Sequence, residues 1–163
     1  MNNELAALYA ADRREHNPQT APPQTYEELR ERDRERRKRA AEMIAADDLQ
    51  TAEDYFHAAQ LFHHGDTIND FEQAYKLAVK AADLGHRPAR WMAAAACDRW
   101  LIEQNKPQKY GTQYKGDGER LWLVEVDPAT TDDERAAWDV PSLSEALRRA
   151  EEVNRNNAEG PRR

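Results

Sequence analysis

The side chains best suited to chemistry are four histidines in the middle of the chain. They are His57, His63, His64 and His86. An imidazole with a pKa near neutrality can act as an acid or a base at physiological pH. Two candidate partners follow them in the sequence. Asp98 could orient an imidazole, and Arg99 could hold an anionic group such as a carboxylate or phosphate.

A polar segment just after this pair supplies further groups. Residues 107–114 are Pro-Gln-Lys-Tyr-Gly-Thr-Gln-Tyr. The glutamines and the threonine offer neutral hydrogen bonds, and the glycine lets a ligand approach the backbone. The sequence therefore predicts a polar pocket with catalytic His64, Asp98, Arg99 and Gln113, and with His57, Gln108, Tyr110, Gly111 and Thr112 as ligand-binding residues. In the structural alternative, Asp98 and Arg99 fasten the loop to a helix and Gln113 satisfies buried backbone groups.

Other catalytic chemistries have less support in the sequence. His57 and His64 lie seven residues apart, not four as in a helical zinc pair, and no Cys or Glu partner stands at ligand spacing. The single cysteine, Cys97, lies in an alanine-rich run and is expected to be a buried, inert thiol. No nucleophile-elbow, P-loop or dinucleotide motif occurs. We therefore expect neither a metal nor a cofactor.

Composition limits the class of protein. The chain has 163 residues, 39% hydrophobic and 34% charged, and a formal net charge of −7. This length suits one domain with a small core. The acidic balance argues against a nucleic-acid partner, which usually meets a basic face. One cysteine and the absence of a long apolar run predict a soluble cytoplasmic protein with no membrane contact.

Periodicity, capping residues and breakers predict a mainly α fold of six or seven helices. The predicted ranges are 3–15, 26–46, 52–64, 70–84, 88–104, 132–138 and 143–154. Four pairs have capping-box spacing, namely Thr25 with Glu28, Thr51 with Asp54, Thr131 with Glu134, and Ser142 with Glu145. We expect an N-terminal helix and proline-rich linker at 1–24, a single helical domain at 25–154, and a disordered tail at 155–163.

The core of that domain is predicted to be a pair of antiparallel helical hairpins at 51–114. Gly65 and Gly85 are expected to stop two of the helices in a left-handed conformation. Alanine pairs at 58–59 and 94–95 are 36 residues apart and allow close helix approach. This period indicates about one and a half stacked repeats.

Two further segments complete the prediction. Residues 120–126 form the best strand pattern, and residues 110–114 are a candidate partner in a short β-hairpin near 109–126. The basic run from Arg34 to Arg39 is either a nucleic-acid patch or a solvated helix face. Its interleaved acidic residues favour the solvated face.

From about Asp54 to Leu147 the chain resembles a bacterial family of uncharacterised proteins that is frequent in actinomycetes. The resemblance rests mainly on the Gln-Lys-Tyr-Gly-Thr-Gln string at 108–113, with support from His64-Gly65-Asp66, Ala89-Arg90-Trp91 and Asp98-Arg99. The middle part is also similar to short tetratricopeptide-type repeats, which are mainly protein-binding scaffolds. The resemblance implies a fold and candidate positions but no reaction.

Two functions follow as hypotheses. The first is a binding or adaptor module that recognises a protein or peptide through its helical hairpins. The second is a small cofactor-free enzyme that acts on an anionic small molecule or peptide through the predicted pocket. The visible repeat and the lack of a catalytic motif favour the first.

Overall fold

The computed structural model describes residues 1–159, with side chains through Ala158. This part of the chain is mainly helical and has one small antiparallel sheet. The elements are α1 (Asn3–His16), α2 (Tyr26–Ala45), α3 (Ala52–His63), α4 (Ile68–Asp83), α5 (Pro88–Glu103), β1 (Tyr114–Gly116), β2 (Leu121–Leu123), α6 (Asp132–Ala137) and α7 (Leu143–Glu159). The predicted fold class is confirmed. Within the described residues, no helix is both long enough and apolar enough to cross a bilayer.

The helices begin where their caps dictate. All four predicted capping boxes form, at Thr25, Thr51, Thr131 and Ser142. A fifth box, in which Thr67 and Asp70 bond reciprocally, starts α4 two residues before the predicted start. Each box satisfies backbone donors that the first turn of a helix leaves without partners.

The helix ends divide into two kinds. Gly85 after α4 has a φ of 93°, so it is the left-handed stop that its position predicts. Gly65 is not left-handed, and its need for glycine is steric instead. A Cβ at Gly65 would lie 2.2 Å from Cβ of Asp70. The absence of a side chain there lets the turn from α3 pass close to the start of α4.

The chain forms two compact units, one of residues 1–93 and one that begins at Ala94. In the first unit, α1 and α2 pack on α3, and α3 pairs with α4. The facing surfaces are lined by small residues, so the backbones approach closely. The fully buried alanines of this hairpin are Ala58, Ala59, Ala74, Ala78 and Ala81. Leu5, Met43 and Leu61 fill the space around them.

The second unit begins inside α5, whose buried run continues from Ala94 to Asp98. Its hairpin pairs Tyr114 with Leu123 and Gly116 with Leu121. The strands are shorter than predicted, and the partner strand begins at Tyr114 rather than Tyr110. The reason is that side chains hold the backbone of residues 109–112, and backbone pairing with the second strand segment resumes only at Gln113, whose carbonyl accepts from Val124.

The last helix, α7, packs against β2. It runs to Glu159, beyond the predicted end at residue 154. Asn154 exchanges two hydrogen bonds with the backbone of Leu121, which fixes the helix beside the strand. Of the predicted tail at 155–163, residues 155–159 therefore continue α7, and residues 160–163 lie outside the described part.

Candidate functional site

Asp98 is the centre of the polar loop in the second unit. The residue is completely buried on α5. One carboxylate oxygen accepts from the backbone N–H groups of Lys109 at 2.8 Å and Tyr110 at 2.7 Å. The other accepts from Thr112, through its N–H at 2.9 Å and its hydroxyl at 2.8 Å. A carboxylate has about four acceptor sites. All of them are therefore used to hold the loop against the helix.

Gln108 supports the same loop from within. Its side chain is also completely buried. The amide oxygen accepts from the N–H of Gln113 at 2.9 Å, and the amide nitrogen donates to the carbonyls of Gln113 and Val124 at 3.0 and 2.8 Å. The glutamine side chain therefore takes the place of a strand, pairing with backbone on both sides of the hairpin.

The remaining residues of this motif are also engaged. Tyr110 is buried beside Trp138, and its carbonyl accepts from the buried guanidinium of Arg135 at 3.0 Å. Gly111 has a φ of 88°, a backbone conformation that residues with a side chain rarely adopt. The amide of Gln113 donates to the hydroxyl of Thr112 at 3.0 Å. The structure thus joins Asp98 to residues 109–112, which agrees with the part of the structural alternative that concerns Asp98.

Burial controls the acid–base chemistry of this region. Burial raises the pKa of Asp98, and the hydrogen bonds from Tyr110, Thr112 and Lys109 oppose that effect without cancelling it. Burial also raises the pKa of the Cys97 thiol to about 11. A thiol of this kind is protonated at neutral pH and is a poor nucleophile. Arg99, the next residue on α5, is half-buried.

His64 lies in the first unit, where its partners come from α1 and α2. Its Nδ1 is 3.0 Å from one carboxylate oxygen of Asp12 and 3.1 Å from the other. Its ring stacks on that of His16, with centroids 3.8 Å apart. Its carbonyl accepts from Arg30 at 2.8 Å and from Arg37 at 2.9 Å. The imidazole is therefore held by Asp12 and His16, and the backbone of His64 is held by the two arginines.

His16 joins this histidine to a second buried aspartate. Its Nε2 lies 3.1 Å from one oxygen of Asp33 and 3.7 Å from one of Asp12. We call Asp12, His16, Asp33 and His64 the histidine–aspartate cluster. The hydrogen bond to Asp33 raises the pKa of His16. Burial alone would raise the pKa of Asp33, but the neighbouring imidazoles and Arg30 outweigh it, so this pKa is lowered.

Arginines of α2 surround the cluster. Arg36 bonds Asp33 at 3.2 Å and also pairs with Glu15, and Arg37 bonds Asp66 at 2.7 Å. Arg36 and Arg37 are buried, and only Arg34, Lys38 and Arg39 among the basic residues of the 34–39 run are exposed. The solvated-face interpretation is thus wrong for two of its five basic residues. Apart from Asp33, their partners lie on α1 and after α3, which a pattern within α2 does not reveal.

Two of the other histidines, His57 and His86, pack against aromatic rings. His57 stacks on Tyr9 with ring centroids 4.3 Å apart, and His86 lies 4.4 Å from the ring of Phe56. Burial lowers the pKa of His57. The ring of His63 is 6.1 Å from that of His64. Of the two predicted imidazoles, His64 therefore enters the charged cluster, whereas His57 packs among aromatic rings.

The sequence prediction did not include Asp12, His16 or Asp33. A signal was present, because Asp12 and His16 are four residues apart and share one face of α1. Leu5, Leu8 and Tyr9 lie on the same side of that helix, which marks it as the buried side. A carboxylate and an imidazole on an inward face need partners. The cluster was missed because those partners, Asp33 and His64, belong to other helices.

In comparisons with protein-family models, curated proteins and solved structures, no match to this chain was found.

Proposed function

We propose that this protein is a binding module for a protein or peptide partner. The supporting observation is the use of Asp98, whose four acceptor sites hold the loop at 109–112. A catalytic carboxylate must keep a lone pair for an imidazole or a substrate. Asp98 and Gln108 instead fix the backbone, and a fixed loop loses little entropy when it meets a partner.

The proposed contact surface is the outward face of the β-hairpin. Trp122 is 44% exposed there, opposite Lys115 across the strand pair. Strand alternation places Arg120 on the same face as Trp122. The opposite face is anchored, since the Tyr114 hydroxyl donates to the carbonyl of Ala146 at 3.0 Å. Tryptophan is frequent among residues that dominate binding energies.

Charge suggests the kind of partner. Lys115 and Arg120 are both exposed and flank the indole in an otherwise acidic chain. An aromatic ring between two cations suits a segment that carries carboxylates next to an apolar side chain. The module is therefore proposed to recognise an acidic, partly apolar peptide or protein surface.

The experiment is affinity purification from the native host, followed by direct calorimetry with each purified candidate. Trp122→Ala should lose the partner, whereas Trp91→Ala, which removes a tryptophan of similar exposure from α5, should keep it. Circular dichroism should show that both variants are folded. A partner that binds wild type and Trp122→Ala equally would overturn this surface.

The alternative enzyme hypothesis has its own outcome. If the chain turns over an anionic small molecule, His64→Ala and Gln113→Ala should abolish turnover without changing the melting temperature. If either change mainly lowers the melting temperature, that residue is structural and the enzyme hypothesis is weakened.

A further inference from the structure

We propose that Asp12, His16 and His64 form a binding site for a divalent transition-metal ion of the zinc type. One carboxylate oxygen and one imidazole nitrogen from each histidine lie within 4.8 Å of one another. This proposal is independent of the peptide-binding function, because it uses the first unit and no residue of the hairpin.

The distances suit a shared ion. Ligands that each bind zinc at about 2.0–2.2 Å stand roughly 3–4 Å apart. The Asp12 carboxylate is 3.0 Å from Nδ1 of His64 and 3.7 Å from Nε2 of His16. Asp33 lies 3.1 Å from the same nitrogen of His16, but it is paired with Arg30 and Arg36 and is not one of the proposed ligands. The two rings are stacked with centroids 3.8 Å apart, so both imidazoles would turn for their nitrogens to face one ion.

The donor types select the metal. Two imidazole nitrogens and a carboxylate oxygen form a set that zinc and similar first-row ions prefer, whereas magnesium and calcium favour oxygen ligands. Three protein ligands also leave positions for water or a small anion. The ion would replace the hydrogens that link imidazole and carboxylate in the metal-free cluster.

Burial and access are both suitable. The side chain of Asp12 is 1% exposed, whereas those of His16 and His64 are 24% and 23% exposed. The charge is therefore buried, but the imidazole edges reach the surface, where an ion can enter. Arg30 and Arg36 pair with Asp33 at 3.1 and 3.2 Å, so Asp12 is the carboxylate that the cluster offers to a cation.

The framework around the ligands is fixed. Asp12 and His16 are one turn apart on α1. His64 caps the end of α3, and the guanidinium groups of Arg30 and Arg37 hold its carbonyl. These bonds fix the backbone from which the His64 imidazole projects. We expected no metal from the sequence because only the histidines at 57–86 were compared with ligand spacings, and Asp12 and His16 on α1 were not.

Tag-free, full-length protein, stripped with a chelator, should be titrated with zinc in a calorimeter and with cobalt by visible absorption. Wild type should bind one equivalent. His16→Gln and His64→Gln should each bind at least tenfold more weakly. His57→Gln, a change on the same helix as the His64 cap but among aromatic rings, should bind as wild type does.

Two results would overturn the proposal. One is the absence of saturable zinc or cobalt uptake by folded wild-type protein. The other is unchanged affinity in both glutamine variants. Should those variants fail to fold, X-ray absorption of zinc-loaded wild type decides the question. The spectrum should show two imidazoles with carboxylate oxygen, and a spectrum without two imidazoles would refute the site.

Discussion

Asp98 holds in place a loop whose residue types resemble those of a catalytic site. The residue types around it are those of a polar pocket, but the side chains of Asp98, Gln108 and Thr112 bond the loop itself or the backbone beside it. Buried backbone donors require partners, and a short polar side chain is an efficient way to supply them. The same residues that suggest chemistry in the sequence therefore stabilise the loop.

Asp98→Asn should destabilise the protein by about 3 kcal/mol, since an amide cannot accept on both sides and leaves buried donors unpaired. Thr112→Val removes the hydroxyl that donates to Asp98 at 2.8 Å and accepts from Gln113 at 3.0 Å, and should cost about 1–2 kcal/mol. Urea unfolding of both variants measures the two values. Equal, small losses in the two variants would show that Asp98 does not hold the loop.

Asp54 should make stability depend on pH. Burial tends to raise the pKa of Asp54, but backbone hydrogen bonds from Asn2, Thr51 and Gln50 outweigh it and lower the pKa below 3.8. A lowered pKa in the folded state contributes stability that is present above the unfolded pKa and is lost as pH falls through the folded value. Unfolding free energies from pH 7 downward should show the advantage of wild type over Asp54→Asn shrinking below about pH 4. A constant difference would contradict this assignment.

At the scale of elements, local rules determined the helices and their caps. A capping box needs only two residues three positions apart, so it can be seen without tertiary structure. The turn at Gly65 is different. Its glycine is required because α4 starts with Asp70 beside it, a contact made by packing and not by the φ angle. Packing also explains the buried arginines of α2, because Glu15 and Asp66, which pair with Arg36 and Arg37, lie outside that helix.

The junction of α7 and β2 should depend on one side chain. Asn154→Ala removes the two hydrogen bonds to Leu121, at 2.6 and 2.8 Å, and should cost about 2 kcal/mol. Asn156→Ala, an exposed change one half-turn further along the same helix, should cost less than about 0.5 kcal/mol. Thermal unfolding of the two variants makes the comparison. Equal melting temperatures would mean that the strand does not need this amide.

At the scale of the whole molecule, some cationic side chains lie in ion pairs and others are exposed beside Trp122. The chain carries a formal net charge of −7, and many of its arginines form ion pairs with buried or neighbouring carboxylates. The arginines of α2 therefore serve mainly in ion pairs. Trp122 with Lys115 and Arg120 is a small cationic and aromatic surface on this acidic background. In the described residues, the arginine–carboxylate pairs have a structural role, whereas Trp122, Lys115 and Arg120 form the candidate contact surface.

This arrangement predicts no affinity for nucleic acid. In fluorescence anisotropy, labelled duplex DNA should not bind at roughly 0.15 M salt, where screening leaves only strong phosphate contacts. A basic single-domain DNA-binding protein serves as the positive control. Binding that weakens steeply as salt rises would contradict the prediction and would reopen the role of the exposed Arg34 and Arg39.

The sequence by itself determined the mainly helical class, most helix boundaries and the existence of the hairpin. These features follow from interactions a few residues apart, which composition and periodicity encode directly. Tertiary structure decided which polar groups meet. Asp12 and His64 are 52 residues apart, and Asp98 and Thr112 are 14 residues apart. Such partners are chosen by how helices pack, and packing depends on the shape of the whole core rather than on any local pattern.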